Sequence, residues 1–78
     1  MKNLKKIRVL RDLTQIQLQM ETGINQSILS KYETGEYTPT TENLLTLAAF
    51  YKTSVDFLLD LTDEEKPYPR KKRTDGGT

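Results

Sequence analysis

Gln26, Ser27, Ser30 and Lys31 carry side chains suited to reading nucleic-acid bases. A glutamine amide can bond an adenine edge twice, a lysine ammonium can serve the guanine acceptors, and a serine hydroxyl can donate or accept. On a helix, positions 26, 27, 30 and 31 share one face, so these groups would act together. Asn25, just ahead of them, has the short polar side chain of a helix N-cap. Upstream, Thr14 and Gln15 open a second helical stretch, where unpaired N–H groups and the positive dipole end favour a phosphate. Catalytic chemistry has no comparable set. The chain contains no cysteine and no histidine, which removes the usual thiolate, general base and zinc ligands. Asp56, Asp60, Asp63, Glu64 and Glu65 form no convincing catalytic pair, and no Gly-rich phosphate loop or metal-ligand spacing occurs. The expectation is therefore no enzyme, no cofactor and no metal.

Helices must position these residues. Leu4, Ile7 and Leu10 recur every third residue and predict a first helix over roughly residues 2–11. Thr14 with Gln17 forms a capping-box pattern that starts a second helix over 15–22, and Gly23 ends it. Asn25 caps a third helix over 26–34, ended by Gly35. Pro39 discourages helix in the loop that follows. Thr40 or Thr41 then caps a fourth helix, whose Leu44, Leu47, Ala48 and Tyr51 form a core stripe. Ser54 caps a short fifth helix containing Val55, Leu58 and Leu59. Phe50 and Phe57 flank the main stripe, and either partial exposure in a dimer contact or a place in the core stays open for them.

With 78 residues there is room for one domain. Residues 1–61 are expected to form it. From Thr62 the sequence turns to charge and proline with almost no aliphatic residue, which predicts a disordered tail over 62–78. Its PRKKR run would be solvated or add non-specific attraction to DNA. The net charge is +1, but its distribution is uneven. Lys2, Lys5, Lys6, Arg8 and Arg11 face only Asp12 in the first twelve residues, whereas the middle of the chain is mildly acidic. A basic end suits a polyanionic partner. Arg8 and Arg11 interrupt any signal-peptide core, and no apolar run could cross a membrane. The expected setting is cytoplasmic, associated with the nucleoid when bound.

Two short helices joined by a tight turn at Gly23 make a helix-turn-helix arrangement. The stretch resembles the Cro/repressor type, the XRE family with a lambda-repressor-like fold. Leu13-Thr14-Gln15, Leu18, Gly23-Ile24, Ser30, Tyr32-Glu33, Gly35, Pro39, Leu44, Leu47-Ala48, Ser54, Asp56 and Leu58-Leu59 carry the resemblance, which covers residues 4–61. It implies an all-α, compact five-helix domain with its helix-turn-helix at helices 2 and 3. It also implies roles. Gln26, Ser27 and Lys31, with Ser30 beside them, would contact bases. Gln15 would hold a phosphate at the start of its helix, with Thr14 and Asn25 near it. Thr34, Tyr37 and Thr38 would meet the backbone further along. Arg8 and Glu33 match a structural ion pair between the first and third helices. Gln19 departs from the pattern, because the family prefers a small residue there. Asp12 stands where a glycine often ends the first helix, a mild departure since Asp tolerates the left-handed conformation.

These readings predict a sequence-specific binder of double-stranded DNA that regulates transcription, as a repressor and homodimer on a pseudo-palindromic site. The alternative is a protein-interaction module, such as the antitoxin of a toxin–antitoxin pair, with a regulatory protein as partner. That reading calls for apolar residues on the third helix where Gln, Ser and Lys stand.

Overall fold

A computed structural model describes residues 1–66 as five helices: α1 (Lys2–Leu10), α2 (Gln15–Thr22), α3 (Gln26–Thr34), α4 (Thr41–Tyr51) and α5 (Val55–Leu58). Among the described residues there is no strand, and the fold is all-α. The expected tail beyond Lys66, including the PRKKR run, lies outside the described residues.

Local chemistry sets the helix ends. Thr14 Oγ1 accepts from the Gln17 N–H at 3.0 Å, while Gln17 Oε1 accepts from the Thr14 N–H at 2.8 Å, so the capping box is reciprocal. Asn25, Thr40 and Ser54 cap α3, α4 and α5 through their side-chain oxygens. Gly23 and Gly35 close α2 and α3 at φ values of 79° and 84°, a conformation glycine adopts without strain. Asp12 and Lys52 take the same left-handed region after α1 and α4, at φ 60° and 55°. The first helix stops one residue earlier than its periodicity predicts, with Arg11 as its cap.

Leu4, Ile7, Leu18, Ile24, Leu29, Tyr32, Leu47, Ala48, Tyr51, Phe57 and Leu58 form one buried core to which every helix contributes. Phe57 corrects the expectation of partial exposure and of a dimer contact: only 1% of it is accessible. Because α5 is a single turn capped by Ser54, Phe57 and Leu58 both turn inward while Asp56 stays outside. Phe50 remains half-buried against the core, its ring edge-on to Tyr51 at 5.0 Å.

The end of the domain also differs from the expected boundary after residue 61. The Asn3 side chain donates to the carbonyls of Phe57 at 2.9 Å and Thr62 at 3.1 Å. Arg11 Nη2 meets Glu65 Oε2 at 2.9 Å, and Thr53 Oγ1 bonds the Glu65 carbonyl. Residues 62–65 therefore lie against α1 and the end of α4, because backbone carbonyls there satisfy buried or half-buried donors. Asp60 completes this closure. Its carboxylate accepts from the N–H groups of Lys2 at 3.0 Å and Asn3 at 2.8 Å, capping α1 where Met1 supplies no side-chain cap.

Candidate nucleic-acid interface

The second and third helices pack through Leu18, Ile24 and Leu29, each buried. With Leu29 and Tyr32 turned to the core, α3 presents the opposite face outward. Gln26, Ser30 and Lys31 on that face are half-buried and Ser27 is exposed. The four residues expected to read bases thus share one accessible surface.

Gln26 is held at two points. Its side-chain Nε2 donates to Gln15 Oε1 at 2.6 Å, and its backbone N–H donates to Gln19 Oε1 at 2.7 Å. Gln15 is itself anchored, since its Nε2 donates to Glu33 Oε1 at 3.0 Å. The same carboxylate receives Arg8 in a forked pair, Nε to Oε2 at 2.7 Å and Nη2 to Oε1 at 3.1 Å. Arg8 Nη1 continues to the Leu13 carbonyl at 2.7 Å. The side chains of Arg8 and Glu33 are only 13% and 4% accessible. The hydrogen bond to Glu33 raises the arginine pKa above its ordinary value, against the opposing effect of burial. A continuous chain of hydrogen bonds therefore joins α1, the end of α3, the start of α2 and the first residue of α3.

The other expected residues are distributed as follows. Asn25 Oδ1 accepts both the Ser27 N–H at 2.9 Å and the Ser27 hydroxyl at 2.6 Å, so its oxygen serves the cap. Thr14 is exposed, and its hydroxyl oxygen caps α2. Thr34 is exposed at the end of α3, with its hydroxyl donating to the Lys31 carbonyl. Tyr37 and Thr38 are exposed in the following loop. Lys31 sits with its ammonium 5.0 Å from the centre of the Tyr37 ring, within cation–π range. The basic start of the chain contributes Lys2, Lys5 and Lys6 to a shallow depression on α1 with Val9, Leu10 and Glu33; none of the expected base readers lines it.

Gln19 is the residue whose role sequence reasoning missed. Its departure from the family's small residue marks the position, but the bond it makes crosses from one helix to the next and follows no periodic pattern.

Comparison with known proteins agrees with this geometry. A family model described as helix-turn-helix matches residues 4–58. The chain is 36% identical over 69 residues to an uncharacterized HTH-type transcriptional regulator, YobD, of Bacillus subtilis (strain 168). That similarity covers 88% of this chain and 62% of the relative, so the chain spans less than two thirds of that relative's length. No solved structure shows a significant match. By its five helices, its α2–α3 unit and the match across its core, the chain belongs to the XRE-type helix-turn-helix family.

Proposed function

We propose that this protein is a sequence-specific DNA-binding transcriptional regulator rather than an enzyme, with α3 entering the major groove. The observation that carries the proposal is the accessible polar face of α3, with Gln26, Ser27, Ser30 and Lys31 outward and Leu29 and Tyr32 buried behind them. A face of this kind fits base edges better than the apolar surface of a partner protein.

Gln26 reads adenine. One hydrogen of its amide is committed to Gln15, leaving one N–H and the carbonyl oxygen, the donor–acceptor pair that an adenine edge requires. Lys31 leaves the Tyr37 ring to reach guanine acceptors or a nearby phosphate, and Ser27 and Ser30 add shorter contacts. Thr14, Gln15, Asn25, Thr34, Tyr37 and Thr38 hold the sugar-phosphate backbone and set the register. A single recognition helix covers few base pairs, so the protein acts as a homodimer on a pseudo-palindrome and represses by occlusion. The half-buried Phe50 and the exposed Leu45 and Leu61 offer apolar surface for that pairing. Its place of action is the cytoplasm, on the nucleoid. Among the described residues no helix is long and apolar enough to cross a membrane.

Selection from randomised duplex oligonucleotides, followed by a salt titration on the selected site, tests the reading. Affinity should fall steeply with salt, by a log–log slope of about 0.9 for each phosphate contacted. Failure to enrich any site, or an affinity indifferent to salt, overturns it.

A further inference from the structure

The first turn of a helix exposes N–H groups that the helix cannot satisfy itself. In α3 the Ser27 N–H goes to the Asn25 side chain, and those of Ile28 and Leu29 go to the Asn25 carbonyl. The remaining donor, the Gln26 N–H, goes to Gln19 Oε1 across the turn at 2.7 Å. The N-terminus of α3 is thus closed by the protein itself. Gln19 is half-buried, and its backbone carbonyl also accepts from the Gly23 N–H at the end of α2. One residue of α2 therefore bonds both the turn and the first residue of the recognition helix.

Resting on the DNA-binding reading, we propose that Gln19 is a specificity-determining positioning residue, which sets the start of α3 and so the place of Gln26 at the base edge. The bond from Gln15 fixes the end of the Gln26 side chain, and the bond from Gln19 fixes its backbone. With both ends held, the amide is presented in one orientation before DNA arrives. Pre-organisation of this kind favours the matching base over others, because a mismatched base cannot be met by rotating the reader. A small residue at position 19 would leave the Gln26 N–H to water or to a phosphate oxygen. The start of the α3 backbone would then have no direct bond to α2, and the register would rest on the packing of Leu18, Ile24 and Leu29 and on the side-chain bonds of Gln15 to Gln26 and Glu33. Base contacts tolerate little displacement, so loosening the start of the helix blurs the reading without removing the phosphate contacts.

The test uses Gln19→Met, which keeps the length and packing of the side chain but removes the strong acceptor, in wild-type and Gln26→Ala backgrounds. Hydrogen exchange of the Gln26 amide reports the bond directly and needs no DNA. The Gln26 amide should exchange at least about tenfold faster in the Met variant while core amides such as that of Leu29 keep their protection. On the selected site, discrimination at the base pair read by Gln26 should fall about three- to tenfold, with the salt slope unchanged. In the Gln26→Ala background the Gln19→Met change should have no further effect on discrimination. Unchanged exchange at Gln26, unchanged discrimination, or an equal loss in both backgrounds each overturns the proposal. If the wild-type protein enriches no DNA site, the DNA-binding reading fails instead, while the exchange experiment still decides whether Gln19 holds α3.

Discussion

Replacing Arg8 by methionine removes one half of a buried ion pair and leaves the other in place. Glu33, whose side chain is 4% accessible, would lose its forked ion pair and keep the hydrogen bond from the Gln15 amide, and the Leu13 carbonyl would lose its Arg8 donor. An uncompensated buried charge of this kind costs about 3–5 kcal/mol. Arg8 is itself 13% accessible, so water can reach part of the site, which places the expected loss near the lower end, about 3 kcal/mol. In a domain of this size each kcal/mol moves the melting temperature by about 4–8 °C, so the variant should melt at least about 12 °C below wild type. The double variant Arg8→Met with Glu33→Met removes both charges and fills the space with apolar volume. It should recover at least half of the loss, since a well-packed apolar pair performs about as well as a buried ion pair. Thermal and urea melts followed by far-ultraviolet circular dichroism give the four corners of the cycle. An Arg8→Met variant melting within about 2 °C of wild type would refute the reasoning, as would losses that simply add in the double variant.

Three further outcomes follow from the same packing. Lys52 closes α4 at φ 55°, so Lys52→Gly should stabilise the fold by about 0.5–1 kcal/mol, read as a higher urea midpoint. The Tyr51 hydroxyl is buried and has no hydrogen-bond partner among the described residues, so Tyr51→Phe should leave stability unchanged or raise it at neutral pH. Burial pushes the Tyr51 pKa up to about 12, so above pH 10 the unfolded chain loses this proton before the folded one does. Stability should then fall between pH 10 and 12, and the advantage of Tyr51→Phe over wild type should widen across that window in urea melts. Asp60→Ala should cost about 1–2 kcal/mol and speed hydrogen exchange at Lys2 and Asn3, the two amides its carboxylate accepts from.

The elements with local signals were legible in the sequence. Thr14 with Gln17, Asn25 before α3, and glycines at 23 and 35 write their helix ends within a few residues, and the structure places those ends there. The common face of Gln26, Ser27, Ser30 and Lys31 followed from helix geometry, which brings positions at that spacing together. Where a bond joined distant positions, nothing periodic marked it. Asp60 capping α1 and Asn3 reaching Phe57 and Thr62 span 54 to 59 residues. Gln19 could be noticed as unusual but not assigned, since its acceptor meets a backbone donor on another helix. Phe57 was ambiguous for a different reason: four residues are too few for a stripe to show which side faces inward.

The closure of α1 by Asp60 bears on the order in which the molecule can be built. A ribosome delivers α1 first, yet the carboxylate that completes its first turn arrives 57 and 58 residues later. The α2–α3 unit needs no such wait, because the capping box, the turn and the bonds from Gln15 and Gln19 to Gln26 all lie within a short stretch. Contacts so far apart in sequence carry a larger loop-closure cost and form late relative to local ones. The caps and the turn of the central helix pair can therefore form from local contacts, whereas the first turn of α1 gains its cap only when the end of the domain folds back on it.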